Sequence, residues 1–276
     1  MLTLGVDVGA SKVSAALVKN GRAQGSCKLS YPAKRGSVIR RVILQCVETA
    51  KGKAKISGIG LGVPCAIDSG GKTIACANIP RLSPEKLILA IRKKFGVPVA
   101  FENDVKAAAL AELRYGIGRR SKNFVFVALG TGIGGAIVID GKLYKGALGW
   151  AGEFGHTIMQ IKNEKLKMKN LEDWEEMSTK RFFKSKKGPK DIAEFARTVG
   201  LGLLNITYAF APEIIVIGGG LSSLWNRRFE KAVRSAMFRM AVSRKMPLPK
   251  IMRSRFGENA GVIGAALLDI GSKSKI

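Results

Sequence analysis

The sequence predicts an α/β protein of two lobes with a cleft between them, and three observations carry that prediction. A strand–turn–strand–turn pattern occurs twice, about 120 residues apart, the period of a duplicated domain rather than of a short repeat. After each copy, strand-like and helix-like segments alternate. The 276 residues, 46% of them apolar, are enough to fill two cores and exclude a disordered basic tail.

The first copy opens on an apolar strand, Leu4 to Val8, and a small-residue turn through Gly9, Ala10 and Ser11 to Lys12. A second strand, Val13 to Val18, then leads to Asn20-Gly21, a hairpin signal. Helix-like Ser37–Lys51, strand-like Ile56–Pro64, a helix over Ser83–Phe95 started by Ser83-Pro84-Glu85, a short strand Val97–Phe101 and an Ala-rich helix Val105–Tyr115 follow. The second copy is Phe124–Leu129, Gly130-Thr131-Gly132, Gly134–Ile139 and Asp140-Gly141. Behind it come a helix Asp191–Ala211 stopped by Pro212, a buried strand Glu213–Ile217, Gly218-Gly219-Gly220, a basic helix Arg227–Val242 and a closing helix Ala260–Ile270. The expected lobes are residues 1–117, completed by 260–276, and residues 118–259.

Composition narrows the function classes. No run of about 18 apolar residues exists to span a bilayer, and Met1-Leu2-Thr3-Leu4 has no basic head or cleavage site of a signal peptide, so a cytoplasmic chain is expected. Cys27, Cys46, Cys65 and Cys76 show no C-x-x-C spacing and are expected to be reduced, partly buried small residues. The formal charge of +27 makes contact with nucleic acid physically reasonable, chiefly through Lys162–Lys190 and Arg227–Arg255. A solvated basic surface is the favoured reading, because Trp174, Phe182 and Phe183 fit an amphipathic helix as well as a base-stacking platform.

The glycine turns are the candidate phosphate sites. Residues 130–135 fit G-x-G-x-x-G, but a dinucleotide fingerprint needs a helix at the third glycine and here a strand and hairpin follow. The alternative is a nest of backbone N–H groups, and two matching nests favour a shared anion. Asp7 stands in the first where Ala128 stands in the second. A single carboxylate beside phosphates suits Mg²⁺, which keeps most of its waters; a buried strand Asp capped by N–H groups is the other reading. Gly218-Gly219-Gly220 and Leu221 form a third open backbone segment, suited to a base and ribose.

Asp104, at a strand end and a helix start, is the candidate general base, with Asn103 as the helix cap. Glu153 and His156, the only histidine, lie on a Gly-rich loop where they can bind adjacent hydroxyls, and Asn78 is a further polar loop residue.

These residues, taken in order, resemble the repressor/open-reading-frame/kinase (ROK) family of sugar kinases, within the actin–hexokinase superfamily. The resemblance spans nearly the whole chain, through Asp7–Lys12, Gly62-Val63-Pro64, Asn78-Ile79-Pro80, Glu102-Asn103-Asp104, Leu129–Gly135, Gly152–His156 and Ile217–Ser222. It implies a duplicated ribonuclease-H-like (actin-like ATPase) fold, phosphorylation of a hexose hydroxyl, and Asp104 as the base. It further implies that Asn78, Asn103, Glu153 and His156 hold sugar hydroxyls. Asp7 would hold Mg²⁺ through water, the turns at Gly9–Lys12 and Gly130–Gly132 the phosphates of ATP, and Gly218–Leu221 the adenosine. A homodimer is also implied. The family's cysteine-rich zinc segment is replaced by Lys162–Lys169, so no zinc is expected; the sugar-binding Glu that follows it corresponds to Glu172 or Glu175, with Glu175 preferred. Ala10-Ser11 replaces Gly-Thr, and Cys65 stands at a usual Gly. The resemblance implies glucose, N-acetylglucosamine, N-acetylmannosamine or fructose as the acceptor, with polyphosphate as an alternative donor. The rival reading is a sugar-sensing, DNA-binding regulator, which the few residues ahead of Asp7 disfavour.

Overall fold

The computed structural model describes residues 2–32, 35–76, 79, 82–161 and 171–269. The chain forms two compact units: residues 1–120, 142–151 and 258–276, and residues 121–141 and 152–257. Segment 142–151, which lies within the second lobe of the sequence-based boundaries, thus groups with the first unit.

Unit 1 begins with strands β1 (Thr3–Val8), β2 (Lys12–Lys19) and β3 (Arg22–Ser30) and helix α1 (Gly36–Lys51). It continues through β4 (Gly58–Val63), the small hairpin β5 (Ala66–Ile67) and β6 (Thr73–Ala75), α2 (Pro84–Phe95), β7 (Val99–Asn103) and α3 (Asp104–Tyr115). The main sheet runs β3-β2-β1-β4-β7, antiparallel through β3, β2 and β1 and parallel through β1, β4 and β7. The expected Asn20-Gly21 hairpin is present, with both residues at positive φ (50° and 73°), which Asn and Gly accept more readily than other residues. Helix α1 covers one face with Ile39, Val42, Ile43, Cys46, Val47 and Ala50, all buried. On β1 and β4, Gly5 and Gly60 make room for helix α7 (Ala260–Ala265): a Cβ at either would collide with the Val262 or Ala265 carbonyl oxygen.

In unit 2, β8 (Phe124–Leu129) and β9 (Ile133–Ile139) form the second hairpin, closed by Asp140 and Gly141 at φ 51° and 71°. A short strand β10 (Lys142–Tyr144) follows that turn. Beyond the loop lie β11 (Ile158–Ile161) paired with β12 (Leu171–Asp173), a π-helical turn Glu176–Lys180, α4 (Arg181–Lys184) and α5 (Pro189–Phe210). Strand β13 (Ile214–Gly218), α6 (Arg227–Met240) and β14 (Lys250–Arg253) complete the unit. From β9 the sheet runs β9-β8-β13-β14, antiparallel and then parallel, the order of β2-β1-β4-β7 in unit 1.

Two expectations change. Cys65 and Cys76 are not reduced: they form a disulfide, because the β5–β6 hairpin returns Cys76 beside the end of β4. Cys27 and Cys46 do remain free and buried, and burial pushes the Cys46 thiol up to about 12. The closing helix is shorter than expected, ending at Ala265. Among the described residues no helix is long and apolar enough to cross a membrane. Of the aromatics in the Lys-rich stretch, Trp174 is fully buried and Phe182 stacks on Phe195 in the core (centroids 4.5 Å apart); only Phe183 is exposed. Two of three are therefore packing residues and offer no face to a base.

Candidate active site

In unit 1 the parallel strands β1, β4 and β7 bring Asp7, Gly62 and Glu102 into one row, Asp7 opposite Gly62 and Gly62 opposite Glu102. The chemistry gathers at their carboxyl ends, where open parallel sheets bind ligands. The turn after β1 is closed by the Gly9 N–H donating to the Lys12 carbonyl (2.9 Å), and Ser11 and Lys12 are exposed on it with Ala10 partly so. Asp7 is partly buried above Gly261 of α7. Burial, and secondly the negative charge of Asp104, raise its carboxyl from the ordinary 3.8 to about 7, against the opposing pull of Lys12.

Asp104 opens α3. Asn103 is buried and caps the helix as expected: its Oδ1 accepts from the Val105 and Lys106 N–H groups (3.0 and 3.1 Å). Its Nδ2 donates to the Cys65 carbonyl (3.3 Å). The Val105 N–H also donates to Asp104 Oδ1 (2.9 Å), so the first turn of α3 holds Asp104 from its own backbone. Asn78 lies outside the described residues.

Two acidic groups that repel one another at the end of a sheet suit a hard divalent cation. No cluster of three or more His, Cys, Asp or Glu side chains among the described residues could hold a metal by itself. One buried carboxylate with a second beside it would suit an ion such as Mg²⁺ that keeps most of its waters. The Lys162–Lys169 segment, which has no Cys, lies outside the described residues.

In unit 2 the turn after β8 repeats the first: the Gly130 N–H donates to the Gly132 carbonyl (2.9 Å), with Thr131 exposed between. The register makes the duplication concrete. Asp7 pairs with Ser14 and Gly62; Ala128 pairs with Gly134 and Gly218. Gly219, at φ 79°, packs against the Leu129 backbone, so Gly218-Gly219-Gly220-Leu221 adjoins the second turn.

Glu175 sits beneath that turn. Its Oε2 accepts from the Ile133 N–H (2.8 Å), its Oε1 pairs with Lys180 (3.1 Å), and a Cβ on Gly132 would strike the carboxylate. In this arrangement Glu175 supports the glycine turn, while Glu172 pairs with Arg181 (3.0 Å). His156 closes the short turn after Glu153, donating its N–H to the Glu153 carbonyl (3.2 Å). Its ring is exposed and its Nδ1 lies 3.1 Å from Asp173 Oδ2. That contact fixes the orientation of the ring. Sequence reasoning missed Asp173, which β12 brings beside His156 by pairing with β11.

Residues 3–170 and 164–271 match the ROK family, and the chain belongs to it. It is 26% identical to a glucokinase from Streptomyces coelicolor, over 96% of each chain. It is 28% identical to an N-acetylgalactosamine kinase from Shewanella sp., over 97% of this chain and 96% of that one. A xylose repressor from Caldicellulosiruptor bescii is 27% identical over 84% of this chain and 66% of its own length. The structure resembles that of a ROK family glucokinase from Streptomyces griseus in complex with glucose and AMPPNP (TM-score 0.82, 26% identity, 97% and 99% coverage).

Proposed function

We propose that this chain is a sugar kinase that moves the terminal phosphoryl group of ATP to a hydroxyl of a hexose. The observation that carries the reading is the placing of Asp104 at the first turn of α3, held by its own backbone and electrostatically coupled to Asp7 beside the first glycine turn. The glucokinase and N-acetylhexosamine kinase relatives support the acceptor class, and glucose or an N-acetylated hexose fits it best.

Asp104, ionised, accepts the proton of the attacking hydroxyl and so raises its nucleophilicity as the bond to phosphorus forms. Asn103 positions Asp104 by capping α3, and Glu153 and His156 Nε2 are the groups that orient neighbouring hydroxyls. The backbone N–H groups of the Gly9–Lys12 and Gly130–Gly132 turns receive phosphate oxygens, and Gly218–Leu221 receives the nucleoside. Asp7 would hold Mg²⁺ through water, and the ion, when bound, supplies charge neutralisation on the phosphoryl group.

The test is a panel of hexoses with MgATP and, separately, with Mg-polyphosphate, run on wild type and Asp104→Asn. Wild type is expected to phosphorylate at least one hexose, and the variant to lose about 10²–10⁴-fold in kcat. A variant with near-normal kcat removes Asp104 from the role of base. The xylose-repressor relatives support a second reading, a sugar-responsive regulator, which predicts sugar binding with no transfer from either donor.

A further inference from the structure

Segment 142–151 leaves unit 2 after the Asp140-Gly141 turn, joins unit 1, and returns at Gly152. Two charged residues that flank Asn103 and Asp104 fasten it there. The Glu102 side chain is 5% exposed; it forms an ion pair with Lys145, and its Oε1 accepts from the Asn103 N–H (2.9 Å). Lys106, 1% exposed, donates from Nζ to the Gly149 carbonyl (2.6 Å). The segment also closes on itself around these anchors, the Ala151 N–H donating to the Lys145 carbonyl (3.0 Å). Gly149, at φ 90°, lies against the Ile67–Ser69 backbone with no space for a Cβ.

Lysine is among the side chains least often buried, and an apolar residue of the same volume would fill this place without desolvating a charge. The Lys106 ammonium reaches the Gly149 carbonyl of this segment. We infer that Glu102 and Lys106 are positioning residues that clamp segment 142–151 to the strand end and helix turn carrying Asp104. The clamp gives the following loop, with Glu153 and His156, a fixed point of departure. This inference rests on the sugar-kinase reading. It assigns the clamp to the acceptor, because its anchors flank Asn103 and Asp104, the residues assigned to the acceptor side.

The test compares Lys106→Met, Lys145→Ala and Lys145→Arg. Lys145 is half-exposed, so its variants decide the matter even where Lys106→Met does not fold. Lys145→Ala and Lys106→Met are expected to raise the acceptor KM about tenfold or more with the donor KM within about twofold, and Lys145→Arg to restore it. Hydrogen exchange at the Ala151 amide should accelerate in the two disruptive variants and stay slow in Lys145→Arg. Parallel rises in both KM values, or unchanged exchange at Ala151, would overturn the inference. A wild type that phosphorylates no hexose defeats the kinase reading instead. In that event exchange, together with quenching of the exposed Trp150 by added sugar, still decides whether the clamp orders this segment for an acceptor.

Discussion

Asp7→Asn separates the cost of a charge from its use. Raising a carboxyl from 3.8 to about 7 corresponds to about 4 kcal/mol. That figure is an upper bound, because Asp7 keeps some contact with solvent. The sign follows from proton binding. Between about pH 4 and pH 7 the folded chain holds a proton that the unfolded chain has released, so this contribution to stability declines as pH rises and is gone above about 7. Asparagine has nearly the shape of aspartic acid and never ionises. Without metal, Asp7→Asn should therefore be more stable than wild type by up to about 4 kcal/mol near pH 8, and by about 2 kcal/mol near pH 5.5. Thermal unfolding in a chelator at both pH values reads this as a rise of several degrees in Tm, larger at the higher pH. The same variant should lose activity at any Mg²⁺ concentration. A variant no more stable than wild type near pH 8, or one with equal gains at the two pH values, would refute the reasoning.

Two further substitutions test the site's supports. Gly132→Ala drives a methyl into the Glu175 carboxylate that holds the Ile133 N–H. It is expected to cost roughly 1–3 kcal/mol in thermal melts and to raise the donor KM more than the acceptor KM in saturation curves. Cys76→Ser, or reduction with dithiothreitol, opens a loop of sequence separation 11, worth about 3 kcal/mol by chain entropy. Because the Cys65 carbonyl also receives Asn103 Nδ2, the acceptor KM should rise as well. An unchanged Tm in reductant would count against the disulfide's role.

The sequence made the repeat visible because its turns demand special backbone. Asn20-Gly21 and Asp140-Gly141 take the positive φ that a tight hairpin requires, and laying Gly9 on Gly130 brings the two hairpin turns within one residue of each other. The correspondence of Asp7 with Ala128 follows from that alignment and is repeated in the strand register. What stayed hidden depends on pairings between distant short elements. The spacing of Cys65 and Cys76 says nothing about a bond until the β5–β6 hairpin folds back. Asp173 reaches His156 only through β11 and β12. Lys106 lies in an Ala-rich helix buried on most sides, where the helical period does not mark an inward face. A charged residue beside Ala107, Ala108 and Ala109 was the available signal, since small neighbours leave a long side chain a channel in which to lie.

The sheet of unit 1 is prepared for a helix that is translated after all of unit 2. Gly5 and Gly60 are synthesised early, yet the backbone they admit belongs to residues 260–265. Unit 2 ends at Gly257. The half of the chain translated second can thus reach its native contacts while the half translated first still carries an open glycine-lined face. That face stays uncovered in the newborn chain until residues 260–265 emerge from the exit tunnel.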